Sequence, residues 1–312
     1  MPTLKFTPIS CVEPGNLAAL LDEEERCWMT DLNWDYAPIR RILASFSEQR
    51  LLPGYVALNE QCAVGYTYFL THHSKGIIGT VFTSRFEGAQ EAADEILALA
   101  IECLKDTAAI RRIEAQIIPF NDLSLTAAFT RHGFQCHPRY YLELDLDSRQ
   151  LPAKRPRPEK IVAWNPSFLP LAAEATLNSY RDQPDAQLCA DYRTLEGCKS
   201  YLGSLMENPG CGSFLPEASF VVLDELGTCC GFLISSQIAQ AAAMIPQVAI
   251  PPSHQGRGLG NALMHGCLSY FKARNYHTVS LTVTKQNRRA FEWYTRLGFR
   301  VRKEFGAFVW ER

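Results

Sequence analysis

Two short segments of this 312-residue chain return at one offset. "GYVALNE" (Gly54–Glu60) comes back as "SFVVLDE" (Ser219–Glu225), and "RHGF" (Arg131–Phe134) as "RLGF" (Arg296–Phe299), each 165 positions later. Two separate anchors sharing an offset mark an internal duplication, and this period is too long for a solenoid repeat. The chain must therefore fold as two copies of one design, each with its own core. Between them "LDSRQLPAKRPRPEK" (Leu146–Lys160) is rich in proline and basic residues and has no apolar period, so it reads as a linker. The expected organisation is a first domain over residues 1–148, a linker over 149–159 and a second domain over 160–312.

Local patterns are clearest in the second copy. "ASFVVLDE" and "GFLISSQIA" read as strands joined by a turn at Gly227, and "MIPQVAI" as a further strand stopped by Pro251 and Pro252. Residues 260–274 carry a helical stripe of Leu263, Cys267 and Phe271, widened by Met264 and Leu268, with Asn275 as a stop. "TVSLTVT" alternates Val279, Leu281 and Val283 with Thr and Ser, a strand with one apolar face. "NRRAFEWYTRLGF" reads as a helix capped by Asn287 and ended by Gly298, and the chain returns as strand. The fold class is α/β in the mixed α+β sense: in each domain, a mixed, mostly antiparallel sheet flanked by helices.

Composition narrows the function classes. The formal charge of −2 argues against nucleic acid as a partner. No apolar run reaches membrane-spanning length, which argues against a membrane partner. The 11 cysteines are odd in number, irregularly spaced and form no CxxC pair. They read as reduced thiols with no structural zinc and no other metal. The N-terminal "MPTLKFTPIS" has no apolar signal core, so a cytoplasmic protein is expected.

The most informative stretch is "PPSHQGRGLGNALMHG". Gln255, Gly256, Arg257, Gly258, Leu259 and Gly260 lie between a strand end and a helix start. Free N–H groups at a helix N-terminus attract anions, and absent β-carbons let phosphate oxygens approach. A P-loop would need Gly-Lys-Ser/Thr, which is missing. A dinucleotide fingerprint would need glycine where Asn261 stands. A plain strand-to-helix turn is the remaining alternative.

Beyond the loop, the chain resembles the GNAT superfamily of N-acetyltransferases. Gln255, Gly258 and Gly260 fit the family's Gln/Arg-x-x-Gly-x-Gly/Ala pattern. "QVAIPP" precedes it, and Asn287, Ala290, Tyr294 and Gly298-Phe299 follow in the right order. The resemblance covers roughly residues 160–312, and the two-domain layout is similar to that of tandem GNAT proteins. It implies acetyl-CoA as co-substrate and a primary amine of a small molecule as acceptor. The backbone from Gly256 to Gly260, with Arg257 and Asn261 beside it, would hold the diphosphate. Val248, Ala249 and Ile250 would run beside the pantetheine arm on a strand splayed from its neighbour. Asn287 would fix that arm, and Ala290 would leave room for it. Tyr294, on the same helix face as Ala290, would protonate the leaving thiolate; a phenol near ~10 suits a thiol near ~8.5. A CoA-binding sensor or scaffold without turnover is the alternative.

The base that deprotonates the acceptor is not evident. The position many relatives fill with a carboxylate falls near Met244. Gln247 can only position water, and Asp182 and Asp185 lie where the family places acceptor-binding helices. In the first copy, offset 165 puts Phe129 opposite Tyr294 and "QEAADE" (Gln90–Glu95) opposite the glycine loop. Glu91 and Glu95 would repel a diphosphate, so this copy reads as a degenerate GNAT-like domain.

Overall fold

The structure, a computed structural model, describes residues 4–118, 124–148, 160–181 and 183–312. The expected linker 149–159 and the candidate Asp182 lie outside the described residues. The first half runs β1 (Leu4–Pro8), α1 (Pro14–Leu32), α2 (Ala37–Glu48), β2 (Gly54–Asn59), β3 (Cys62–His72), β4 (Lys75–Thr83), α3 (Ala89–Asp106), β5 (Arg112–Ile117), α4 (Thr126–Arg131) and β6 (Gln135–Asp145). The second opens with β7 (Lys160–Ala163), α5 (Leu169–Tyr180), α6 (Asp185–Leu188), α7 (Leu195–Glu207), β8 (Ser213–Phe214) and β9 (Phe220–Leu223). It continues through β10 (Cys229–Ala239), β11 (Ala242–Ala249), α8 (Leu259–Ala273), β12 (Thr278–Thr284), α9 (Arg288–Leu297) and β13 (Arg300–Glu311). The order β2-β3-β4-α3-β5-α4-β6 thus recurs as β9-β10-β11-α8-β12-α9-β13. Two copies of one mixed α/β design are present.

The compact units are Met1–Arg139 with Lys303–Arg312, and Tyr140–Arg302. In the first unit the strand order is β1-β2-β3-β4-β5-β13. Pairing is antiparallel except between β4 and β5. In the second unit the order from residues 140–145 of β6 is β12-β11-β10-β9-β7, with β11 and β12 parallel and the rest of the path from β11 antiparallel. The final strand of the chain, from Lys303, therefore serves the first unit.

The apolar stripe expected on α8 is buried as read: Leu263, Met264, Cys267, Leu268 and Phe271. It packs on Val279, Leu281 and Val283 of β12. The alternation of β12 predicts one wet face, but Ser280 and Thr284 are also fully buried. This strand lies inside the sheet, and the Tyr141 hydroxyl and Ser280 Oγ hydrogen-bond at 2.7 Å.

The RHGF/RLGF anchor is a helix stop. Gly298 takes φ 99° and donates to the Thr295 carbonyl, while Phe299 N–H reaches the Tyr294 carbonyl. This six-to-one pattern is a Schellman cap, which needs a left-handed residue and places an apolar side chain back on the helix. The rings of Tyr294 and Phe299 accordingly meet at 5.9 Å. Gly133, with φ 76°, repeats the bonds, and Phe129 meets Phe134 at 5.1 Å.

The first unit buries a carboxylate completely: Glu24 is 0% exposed. It accepts from Thr80 Oγ1 at 2.9 Å, from Trp28 Nε1 at 3.3 Å, and from the Tyr66 hydroxyl. Burial pushes its carboxyl above the ordinary 4.5, and these three hydrogen bonds only partly offset that. A raised folded-state value means the folded protein keeps a proton that the unfolded chain releases. Stability therefore falls as pH rises from 4.5 towards the folded value, then levels. Glu24→Gln should flatten that part of a melting-temperature profile; an unchanged slope would place the dependence elsewhere.

Candidate functional site

β11 parts from β12 early. Their parallel register covers only Ala242 with Thr278, Ala243 with Val279 and Met244 with Ser280. Beyond Met244, β11 continues to Ala249 with β10 on its other side. The β10 register slips between Ile234 and Ser236, opposite Ile245 and Pro246. Proline donates no ladder bond, so the slip falls where the sequence permits a bulge. The opened edge of β11 carries Val248 and Ile250, both half-buried, with the buried Ala249 between them. Val248 turns its carbonyl to the Tyr180 hydroxyl at 3.1 Å.

The glycine loop leads from this edge to α8. Gly256 (φ 77°) and Gly258 (φ 75°) occupy the left-handed region, where a β-carbon is strained. A Cβ on Gly256 would meet open space. Gly258 caps α8 without any side-chain hydrogen bond, and the first intrahelical bond in the turn is Ala262 N–H to Gly258 at 3.2 Å. The N–H groups of Leu259, Gly260 and Asn261 thus lack an intrahelical acceptor. Gly260 answers a different need: its Cβ would lie 3.1 Å from the Trp293 ring. Asn261 Oδ1 accepts from Trp293 Nε1 at 2.6 Å, which fixes that ring. Leu259 is buried in the core. Gln255 is a strap, donating to the Ile250 carbonyl at 2.9 Å and accepting from Arg289 at 2.5 Å. Arg257 lies 3.1 Å from His254 Nδ1.

On α9, Asn287 Oδ1 accepts from Ala290 N–H at 3.2 Å, the expected N-cap. Its amide also donates to Asp185 Oδ2 at 3.3 Å, and Thr284 Oγ1 donates to Oδ1 at 2.7 Å. Asp185 is 9% exposed, so this carboxylate joins α6 to the end of β12 and the start of α9. Ala290 packs against the core. Tyr294, 7% exposed, is held between Trp293 and Phe299, with ring centroids 4.8 and 5.9 Å away.

Three tyrosines unforeseen from the sequence complete the region. Tyr180 stacks on Tyr192 at 4.4 Å, and Tyr201 meets Tyr192 edge-on at 5.0 Å. Tyr192 and Tyr201 both donate to Gln247 Oε1, at 3.0 and 3.4 Å. Gln247 is 3% exposed, and its Nε2 is buried without a hydrogen-bond partner. Leaving such a donor unmade costs about 1–3 kcal/mol. β11 itself, "AAMIPQVA", carries no titratable side chain. Among the described residues no group of His, Cys, Asp and Glu is placed to hold a metal, and no helix is long and apolar enough to cross a membrane.

The first unit corrects one alignment. α3 is capped by Gly88 at φ 100°, as α8 is by Gly258, so the loops align at these caps rather than at offset 165. The first unit's strand-to-helix loop is shorter, which shifts the register. Phe86 and Glu87 then stand opposite Gly256 and Arg257.

Residues 183–299 match the model of the acetyltransferase (GNAT) family. An uncharacterized N-acetyltransferase of Methanocaldococcus jannaschii is 31% identical over 108 residues, 35% of this chain and 47% of that protein. The match thus spans about half the length of that curated relative. Two solved structures align with 99% of the chain. A GCN5-related N-acetyltransferase from Sphaerobacter thermophilus has TM-score 0.70 and 17% identity, with 95% of its own chain covered. A tandem GNAT protein from the clavulanic acid biosynthesis pathway has TM-score 0.64 and 15% identity, with 98% covered.

The Asn287–Asp185 contact is open to direct test. Asn287→Ala should cost about 1 kcal/mol through the lost cap, read as a lower denaturant midpoint. Asn287→Asp keeps a good cap but sets a second carboxylate against Asp185. Its deficit at neutral pH should shrink on acidification, because two close carboxylates then share a proton. A pH-independent deficit would remove Asp185 as its cause.

Proposed function

We propose that the second unit, whose residues 183–299 match the acetyltransferase (GNAT) family, transfers an acetyl group from acetyl-CoA to a primary amine of a small acceptor. The observation that carries the reading is the continuity of the opened β11 edge with the glycine loop and the bare first turn of α8. The loop suits a diphosphate: open space stands where a Gly256 Cβ would be, and no side chain caps Gly258. Bound there, acetyl-CoA supplies the activated thioester.

The roles of the chain's own residues follow from their placement. Backbone N–H groups from Gly256 to Asn261 bind the diphosphate at the positive end of α8. Gln255, tied to Ile250 and Arg289, holds the loop closed against the strand end. Arg257 adds positive charge beside the loop. A strand residue directs its N–H and C=O to one edge, so Val248 N–H faces the same opening as its Tyr180-bound carbonyl. That N–H is placed to donate to the oxygen on which negative charge develops. Val248, Ala249 and Ile250 flank the pantetheine arm, and Asn287 and Ala290 bound it from α9. Tyr294, its ring fixed by Trp293 and Phe299, gives its proton to the departing sulfur. In the first unit Phe129 keeps the contact with the phenylalanine of the helix stop and has no hydroxyl, and Glu87 aligns with Arg257. That unit takes no part in the transfer.

Calorimetry with the full chain should give one acetyl-CoA site. Gly258→Glu should weaken it by about tenfold or more, through left-handed strain and a carboxylate facing the diphosphate. Unchanged affinity would remove the loop from the site. With a working acceptor, Tyr294→Phe should lower kcat by about 10²-fold and leave acetyl-CoA affinity within a factor of two. Equal turnover would end the general-acid role. Coenzyme binding without thiol release on any amine would make the unit a CoA sensor.

A further inference from the structure

Gln247 is the anomaly of the second unit. Its amide is 3% exposed, its oxygen is used twice by tyrosines, and its nitrogen is used by no protein group. Among the described residues of this unit, Trp164 Nε1 is the other buried side-chain donor left unmade. Trp164, however, sits with the apolar rings of Phe214 and Phe232 at 6.4 and 6.2 Å, whereas Gln247 lies on the strand that opens.

The tyrosines meet one end of the amide. Tyr192 and Tyr201 each present an O–H to Oε1, and the N–H₂ end is turned away from them. Phenol and amide are both neutral. A carboxylate buried against them would have no counter-charge. The group that suits Nε2 is therefore a neutral oxygen, and the stacked Tyr180 and Tyr192 rings offer a flat apolar wall beside it.

We propose that Gln247 is a specificity-determining residue whose Nε2–H₂ hydrogen-bonds a neutral hydroxyl or carbonyl oxygen of the acceptor, close to its amine. The acceptor is an oxygenated amine, of the amino-alcohol, amino-sugar or amino-amide class, and not a simple alkylamine or a free amino acid. This rests on the transfer reaction proposed above and adds to it the class of acceptor. A site built to hydrogen-bond an oxygen discriminates strongly against the analogue lacking it, because the donor is then stranded again.

The test uses the full chain, acetyl-CoA and matched amines, read as thiol release. Glucosamine, 2-aminoethanol and glycinamide are compared with cyclohexylamine, propylamine and glycine. The best neutral oxygenated amine should exceed its partner, which carries either no oxygen or a charged carboxylate, in kcat/KM by about tenfold or more. Gln247→Glu keeps acceptors for both tyrosines but removes the N–H₂, and Gln247→Met removes the amide at similar length. Each should bring the ratio to within about threefold of one. Equal use of both partners by the unsubstituted protein overturns the proposal, as does discrimination that survives both variants. No thiol release on any amine overturns the transfer reaction itself and this proposal with it. Release without discrimination overturns only the role of Gln247.

Discussion

β11 leaves β12 after Met244, and the polar architecture of the second unit is arranged around that departure. A strand that leaves its neighbour strands N–H and C=O groups along one edge, and each must find a partner. Here the carbonyls are satisfied from within. Tyr180 takes the carbonyl of Val248, and Gln255 takes that of Ile250, two residues on and on the same edge. With the acceptors capped, the edge offers donors. The loop that follows does likewise, because Gly258 caps α8 with no side chain and leaves its first-turn N–H groups outward. Strand edge and helix end thus form one run of donors, suited to a molecule with an oxygen to stabilise and a diphosphate to hold.

The first unit keeps the opening and the bare glycine cap, but changes what stands around them. Its parallel pair, β4 with β5, is also short, from Lys75 to Ile78. Yet Phe86 and Glu87 replace the glycine-loop residues, and Phe129 stacks on Phe308 at 3.9 Å where Tyr294 would bear its hydroxyl. Thr80 occupies the β4 position that Gln247 occupies on β11, and it is bound to the buried Glu24. Both units therefore bury a polar side chain at this point of the strand. In the first it is saturated by protein, and in the second half of its amide is left over.

Much of this was legible in the residues because it is local. The Gly298 and Asn275 stops, the Asn287 cap, the α8 stripe and the duplicated anchors depend on neighbours within a few positions. RHGF and RLGF could be matched by eye because a Schellman cap fixes both glycine and phenylalanine. The bare loop ahead of α8 was legible from its glycines, but one reason for the third of them was not. Gly260 is bare to admit Trp293, a residue 33 positions away. The tyrosines were illegible for the same reason. Tyr180, Tyr192 and Tyr201 come from three separate segments with no shared period, and only tertiary packing brings them onto Gln247. Asp185 accepts from Thr284 and Asn287, contacts that link three segments distant in sequence. A fixed offset of 165 does not carry through the first unit's loop, because that loop is shorter.

A strand with no titratable side chain limits which amines can react. An alkylamine of pKa ~10.4 is almost wholly protonated near neutrality, and β11 offers nothing to take its proton. An amine beside a carbonyl falls to ~8, as in a chain's own α-amino group, and supplies far more free base at the same pH. The oxygen that Gln247 is placed to recognise is thus the substituent that lowers the amine's basicity. Recognition and deprotonation become one requirement: selecting an oxygenated acceptor selects one that needs little help in losing its proton. A glutamine is then a consistent occupant of a strand that many relatives furnish with a carboxylate.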